Sequence, residues 1–571
     1  MTADDIAKLL RHFGYTHGCR EIEVETTTEH YVVEMTEVDS SKSSLSMSQG
    51  VGPMIEVMKD IGAQRMMLIG EGWVELSRDG LQTDTYTLRQ ARLGGSILSS
   101  TFEWSTNTMP QTSFSHPSSV RSRISEPTVT SSSPVVQQTN SKRPVLGGQF
   151  RNHFSVRYPY VAGAMAGGIA SVEMVRTLSR HNVLSFFGAG GLSLLEVEKA
   201  LEALSEETGI WGCNLLHNPV EPKIEEQTVD LLLHHKVRYV SASAFMQITP
   251  ALVRYRLHGI HKENDRIIVP NQVFAKVSHP SVVQQFLRPP NPRIVERLLA
   301  DGIITKEQAL LAGEIPMADA ITVEADSGGH TDSRPLSVIL PTVLQMRNDI
   351  LATFPSRNVF VGAAGGLAEP RSIKGAFAMG ADYVLLGSVH QCTVEAGTSD
   401  VVKEMLAKSD VTDCALGIAP DMFEIGAHVQ VLKKGTMYAQ RSKKLHTLYH
   451  RFTSIETIPD AEKDKLEKQI FGQSLDNIWA EVQTYWQRDP SQIERANRDP
   501  KHKMALVFRW YLGNSSRWAR QGDVSRKKDF QVWCGPSMGS FNRWVKGTQL
   551  EDWRQRTVVR LVDGLMQAVE L

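Results

Sequence analysis

From Tyr158 onward the chain repeats one pattern: a short apolar run, a turn rich in small residues, then a helical stretch. The runs are Tyr160–Ala162, Val183–Phe187, Gly212–Leu216, Tyr239–Ser241, Ala320–Val323, Val359–Val361 and Tyr383–Leu386. Between the fourth and the sixth, either Arg266–Val269 or the nearby Val273–Lys276 supplies one more. Helical segments such as Leu194–Leu204 and Arg371–Met379 separate most of them. A helix between two strands returns the chain to the same edge, so such strands pair in parallel. Eight units over about 240 residues match an α/β fold of the closed (β/α)8 TIM barrel type, with an open doubly wound sheet as the second choice. A stretch at about 285–316, containing Pro289-Pro290-Asn291-Pro292 and two short helical runs, reads as an insertion or a longer crossover.

The flanks are of another character. A chain of 571 residues exceeds one compact core, so further domains are expected. Residues 1–95 alternate β-like runs (Glu21–Glu25, Tyr31–Val33) with a helical candidate at Pro53–Ile61, which predicts a small α+β segment. Residues 96–150 turn to Ser, Thr, Pro and Gln. Such a stretch buries too little apolar area to offset roughly 1–2 kcal/mol of chain entropy per residue, and reads as a linker. The barrel is expected over 151–400 and an α-helical subdomain over 401–571, with helical periodicity at Val401–Leu406, Glu462–Ile470, Leu475–Tyr485 and Asp552–Val569. That subdomain is placed to cover one mouth of the barrel.

Charge and cysteine usage exclude several functions. The net charge of −1 gives no general attraction to nucleic acid or to an anionic membrane. The 5 cysteines lie far apart with no CxxC pair, which argues against a disulfide framework or a metal site. No run approaches the roughly 20 apolar residues of a membrane span, and Met1–Leu10 does not resemble a signal peptide. The expectation is a cytoplasmic protein with reduced thiols.

In such barrels the chemistry sits just after each strand. There the sequence places Gly163–Ile169 with Met165 and Gly167, then Gly188–Gly191, Asn214, Lys276, Asp326–His330, Gly365-Gly366 and Gly387-Ser388. Glycine lets the main chain approach a ligand closely, and its N–H groups donate to phosphate oxygens. Loops after strands seven and eight are where these barrels commonly hold a phosphate, so Gly365, Gly366, Gly387 and Ser388 are the candidate cradle. The small residues after strand one suit a planar ring, the Asn214 amide can meet a heteroaromatic edge, and Lys276 can place a cation beside it. His330 follows Gly328-Gly329, and imidazole as a residue type exchanges protons near neutral pH, which suits a general acid. Glu324 and Glu395 are candidates to orient it. Basic runs at Lys433-Lys434, Arg441–Lys444 and Arg526–Lys528 read as solvated faces or as a dock for an acidic partner.

At these residues, over about Tyr158–Glu395, the sequence resembles the flavin-dependent barrels that include nitronate monooxygenases and FMN-type enoyl-acyl-carrier-protein reductases. Within that group Glu324–Asp332, Gly362–Leu367, Val394–Ser399 and Cys534–Gly539 resemble the PfaD family of polyunsaturated fatty acid and polyketide synthases. The resemblance implies an enoyl reductase acting in trans on acyl thioesters held by an acyl carrier protein. FMN would be its cofactor and NADPH or NADH its reductant. It also implies His330 as the active-site histidine, and Met165, Gly167, Asn214, Lys276, Gly328, Gly329, Gly365, Gly366, Gly387 and Ser388 as flavin contacts. A homodimer is among the assemblies it allows. A nitronate-oxidising flavoenzyme and a non-catalytic member of a synthase complex are the alternatives. One departure is His390, which stands where an amide residue is expected.

Overall fold

The computed structural model describes residues 146–217, 221–352 and 358–570, with the backbone of six strands between residues 21 and 103. The chain divides into two compact units, Met1–Val136 and Gln137–Leu571. In the first, strands Glu21–Thr26, His30–Glu34, Ala63–Ile69, Gly72–Arg78, Thr85–Arg92 and Leu98–Glu103 form one sheet, antiparallel throughout. Its last strand lies inside the range expected to be linker, and helix Gly148–Phe154 begins within the other end of that range. The helical candidate at 53–61 falls outside the described residues.

In the second unit the barrel strands are β1 (Tyr160–Ala162), β2 (Leu184–Phe187), β3 (Gly212–Leu216), β4 (Tyr239–Ser243), β5 (Gln272–Val277), β6 (Ala320–Glu324), β7 (Phe360–Ala364) and β8 (Tyr383–Leu386). All neighbours run parallel and β8 pairs with β1, so the ring is closed. The fifth strand is the second of the two candidates. Arg266–Ile268 instead forms an exposed hairpin with His261–Glu263, turned at Asn264 and Asp265, which both have positive φ. The expected crossover between β5 and β6 holds helices Pro292–Ala300 and Lys306–Ala312.

Local signals start the outer helices. Pro222, Pro250, Pro280, Pro292 and Pro370 each occupy the first turn, where a missing N–H costs nothing. Ser193 and Glu196 close a capping box on helix Leu194–Ser205. The N-terminal mouth is plugged by Phe150 and Phe154. The Phe150 ring stacks on Tyr383 at 4.5 Å and meets Phe360 edge-on at 5.5 Å. With that end filled, only the C-terminal mouth is left for a ligand.

Residues 400–570 are mainly helical, as expected, around a second core built on the 22-residue helix Pro500–Gln521. Periodicity did not reveal the antiparallel hairpin within it, β9 (Cys414–Ile418) and β10 (His428–Leu432), extended by a bridge from Val431 to Trp533. This region stands over the C-terminal mouth. Cys534 backbone lies where a Cβ on Gly328 would come within 3.3 Å, and Arg520 Nη1 donates to the Gly167 carbonyl at 2.8 Å.

Candidate active site

The loops leaving the strands touch one another around the mouth. A Cβ on Gly188 would stand 1.8 Å from the Met165 carbonyl oxygen, so only glycine lets the loops after β1 and β2 meet. Gly167 N–H donates to Gly190 at 2.7 Å, and Gly190 N–H donates to Asn214 Oδ1 at 3.0 Å. Asn214 therefore spends its acceptor on the loop, leaving its amide nitrogen as the group able to face a ligand. Across the ring, Lys276 Nζ lies 3.0 Å from Glu324, which also accepts from the Ser327 hydroxyl at 3.0 Å. The Lys276 cation is thus matched by a carboxylate from the next strand.

The loops after β6 and β7 are joined by Ala325 N–H donating to Ala364 at 2.9 Å. Gly365 has φ +89° and a Cβ there would stand 2.8 Å from the Ala325 carbonyl. Gly366 has φ +70° with open space where a Cβ would be. The loops after β8 and β1 approach where a Cβ on Gly387 would lie 4.0 Å from Met165 Cγ. The N–H groups of Gly366, Gly387 and Ser388 are not taken up by other backbone groups of the described residues.

A cavity of about 330 Å³ is walled by Asp326, Ser327, Gly365 and Gly366 on one side and by Gly535, Pro536 and Ser537 on the other. Met165, Gly167, Asn214, Lys276, Gly328, Gly329, His330, Gly387 and Ser388 lie outside that wall. The structure therefore gathers the expected residues around one mouth, but of them only the β7 pair of glycines borders the cavity.

His330 is held by neither of the two glutamates expected to orient it. Glu324 is engaged by Lys276 and Ser327, and Glu395 accepts from Val558 N–H at 3.0 Å. The partner is Asp421, in the turn between β9 and β10, at 2.9 Å from Nε2. Burial alone would raise the Asp421 carboxyl, but the imidazole beside it holds it below the usual carboxylate range. The edge of Trp533 flanks the same ring at 5.4 Å. Asp326, on the same loop, accepts from Gln430 Nε2 at 2.7 Å. The helical region thus supplies side chains to the site, and none of them lies near His330 in sequence.

His390 is fully buried and turned away from the mouth, its Nε2 2.7 Å from the Tyr160 hydroxyl. With the side chain turned away, the Gly387 and Ser388 N–H groups keep no backbone acceptor among the described residues. Its Nδ1 has no partner, and burial pushes the imidazole down to about 4. The unfolded chain binds a proton there near pH 6.5 while the folded chain does not, so stability falls as pH drops from 6.5 toward 4. We expect a loss on the order of 3 kcal/mol across that window, flattened in His390→Gln, in urea unfolding followed at several pH values.

The crystal structure of the enoyl reductase domain of MlnA, from the macrolactin biosynthesis cluster of Bacillus amyloliquefaciens, superposes with a TM-score of 0.71 at 39% identity. The match covers 74% of this chain and 96% of that one. The chain belongs to the PfaD family of nitronate monooxygenase-fold barrels. The polyketide biosynthesis protein PksE of Bacillus subtilis is 44% identical over 73% of this chain and 55% of its own length. A component of the polyunsaturated fatty acid synthase of a Thraustochytrium species is 42% identical over 70% of this chain and 28% of its own. The chain thus spans about half the PksE relative and less of the synthase component. The nitronate monooxygenase model matches residues 272–445. Residues 452–530 match the inserted helical domain of [acyl-carrier-protein] S-malonyltransferase. In the family frame, Asp421 lies within the first of these matches, although its role shows only once β9 and β10 are folded.

Proposed function

We propose that this protein is an FMN-dependent enoyl reductase that acts on 2-enoyl thioesters of acyl carrier protein in polyketide or polyunsaturated fatty acid assembly. NAD(P)H is the reductant in this reading. The observation behind it is the His330–Asp421 pair, set at the glycine-lined mouth of a barrel 39% identical to an enoyl reductase domain.

The residues present fit a flavin mononucleotide. Gly366, Gly387 and Ser388 offer uncommitted N–H donors, and no Cβ fills the space beside Gly366. Backbone N–H groups so placed suit a phosphate. Lys276, Asn214 and the Met165–Gly167 backbone offer a cation, an amide nitrogen and a close-packed floor for the ring. Bound there, FMN supplies hydride transfer between a nicotinamide donor and an acceptor carbon. His330 supplies the proton. Asp421 takes the Nε2 hydrogen bond, so it fixes the ring and leaves Nδ1 to deliver a proton to the substrate α-carbon. Trp533 flanks the His330 ring, and the Gly535–Ser537 segment faces the Asp326-Ser327 loop across the cavity.

A Gly366→Asp variant places a carboxylate in the phosphate cradle. It is expected to weaken FMN binding at least about 100-fold in a flavin-fluorescence titration, through like-charge repulsion in a poorly screened site. Gly366→Ala introduces the positive-φ strain without the charge and separates the two effects. A wild-type preparation that is colourless and cannot be reconstituted with FMN would overturn the flavin. The match of residues 272–445 to the nitronate monooxygenase model favours a second reading, oxidation of nitronates by dioxygen. Oxygen uptake with a nitronate, against NADPH consumption with an enoyl thioester, separates the two.

A further inference from the structure

The three basic runs of the C-terminal region do not behave alike. Arg441 and Arg526 turn inward onto Asp529, and Arg526 also stacks on Trp518 at 4.0 Å, so both serve the subdomain's own core. Lys444 is paired with Glu462 at 3.3 Å. By contrast, Lys433, Lys443, Lys527 and Lys528 are exposed and have no carboxylate within ion-pair distance among the described residues.

The fold brings these cations together. Lys433 and Lys434 follow β10 and line a groove of about 320 Å³ with Thr436, Met437 and Gln440. Met437 N–H donates to the Lys528 carbonyl at 2.7 Å, which sets the third basic run beside the first. Lys443 lies one helical turn beyond Gln440, on the same face of helix Tyr438–Arg451. The single acid in the groove wall, Asp413, is already bound to Lys434 at 3.1 Å. Met437, 40% exposed, gives this basic rim an apolar centre.

The groove also adjoins the mouth. Asp413 lines the groove, while Val411, two residues earlier, lines the cavity bordered by Gly365 and Gly366. Two residues span at most about 7 Å. A tethered arm entering at the groove therefore reaches the glycine loops without crossing the barrel.

We propose that this groove is the docking surface for an acidic carrier domain, whose phosphopantetheine phosphodiester sits against Lys433 and Lys434. The proposal rests on the reductase reading for the identity of the cargo. Unpaired lysines attract an acidic helix at long range, and the effect weakens with salt.

The test is direct binding of a phosphopantetheinylated acyl carrier domain to the FMN-loaded full chain, measured beside turnover of an enoyl thioester of free pantetheine. Lys433→Glu/Lys528→Glu is expected to weaken carrier binding at least about tenfold while leaving pantetheine-thioester turnover unchanged. Lys306→Glu/Lys374→Glu, on outer helices of the barrel, should bind the carrier as wild type does. Raising salt from about 50 to about 500 mM should abolish most of the wild-type advantage over the groove variant. Unchanged affinity in the groove variant, equal losses in the two double variants, or no wild-type binding would each overturn the docking surface. Salt-sensitive binding that is lost in the groove variant, with neither thioester reduced, would uphold the surface and sink the reductase reading.

Discussion

His330→Ala is expected to keep FMN bound and to lose on the order of 10²–10³ in turnover of an enoyl thioester, the scale of a missing proton donor. The ring contacts Asp421 and Trp533, not the Gly365-Gly366 loop, so flavin absorbance and melting temperature should change little. Asp421→Asn tests the same assignment from the other side. The carboxylate at 2.9 Å holds the ring by Nε2, so its removal should lower enoyl-thioester turnover with FMN binding unchanged. The double variant His330→Ala/Asp421→Asn should then lose no more than His330→Ala alone, because the carboxylate acts only through the ring. Additive losses would show a role for Asp421 apart from His330. His330→Ala with wild-type turnover would remove the histidine from the mechanism.

How far the sequence led depended on whether a signal was local. Barrel strands are buried on both faces, so β2, β3, β6 and β8 stand out as continuous apolar runs, and the proline and serine helix starts mark the intervals. The fifth strand was ambiguous because two apolar runs lie close together. Asn264-Asp265, both with positive φ, was the available clue that the earlier run turns back as a hairpin. Glycines at Gly188 and Gly365 were legible because each answers a steric demand that no other residue meets. Asp421 was not legible. It meets His330 across 91 residues of chain, and Arg520 meets Gly167 across 353. No periodicity encodes such contacts, and a glutamate close to the histidine in sequence is a reasonable but wrong substitute. The direction of His390 was equally hidden: its side chain turns to Tyr160 in the layer between the barrel strands and their helices, which sequence spacing does not specify.

The largest stability effect is expected at the opposite end of the barrel from the chemistry. Arg256, 2% exposed at its side chain, reaches the start of β6 and donates to Asp319 at 2.5 and 3.0 Å. It also donates to the carbonyls of Pro316 and Asn271, while Asp319 accepts from Val273 N–H at 2.8 Å. One carboxylate thus joins the starts of β5 and β6 to helix Pro250–Leu257. Asp319→Ala strands a buried guanidinium, with a cost of about 3–5 kcal/mol, read as a lower urea midpoint at unchanged slope. Removing both charges as Arg256→Met/Asp319→Asn should restore part of that loss, because the penalty belongs to the unpaired cation rather than to the absence of an ion pair. Equal losses in the single and double variants would show that it is the Asp319 contact to β5 that matters and not the stranded charge. Either way, protein that remains folded should still bind flavin, since this bond network lies at the plugged mouth and the glycine loops at the open one.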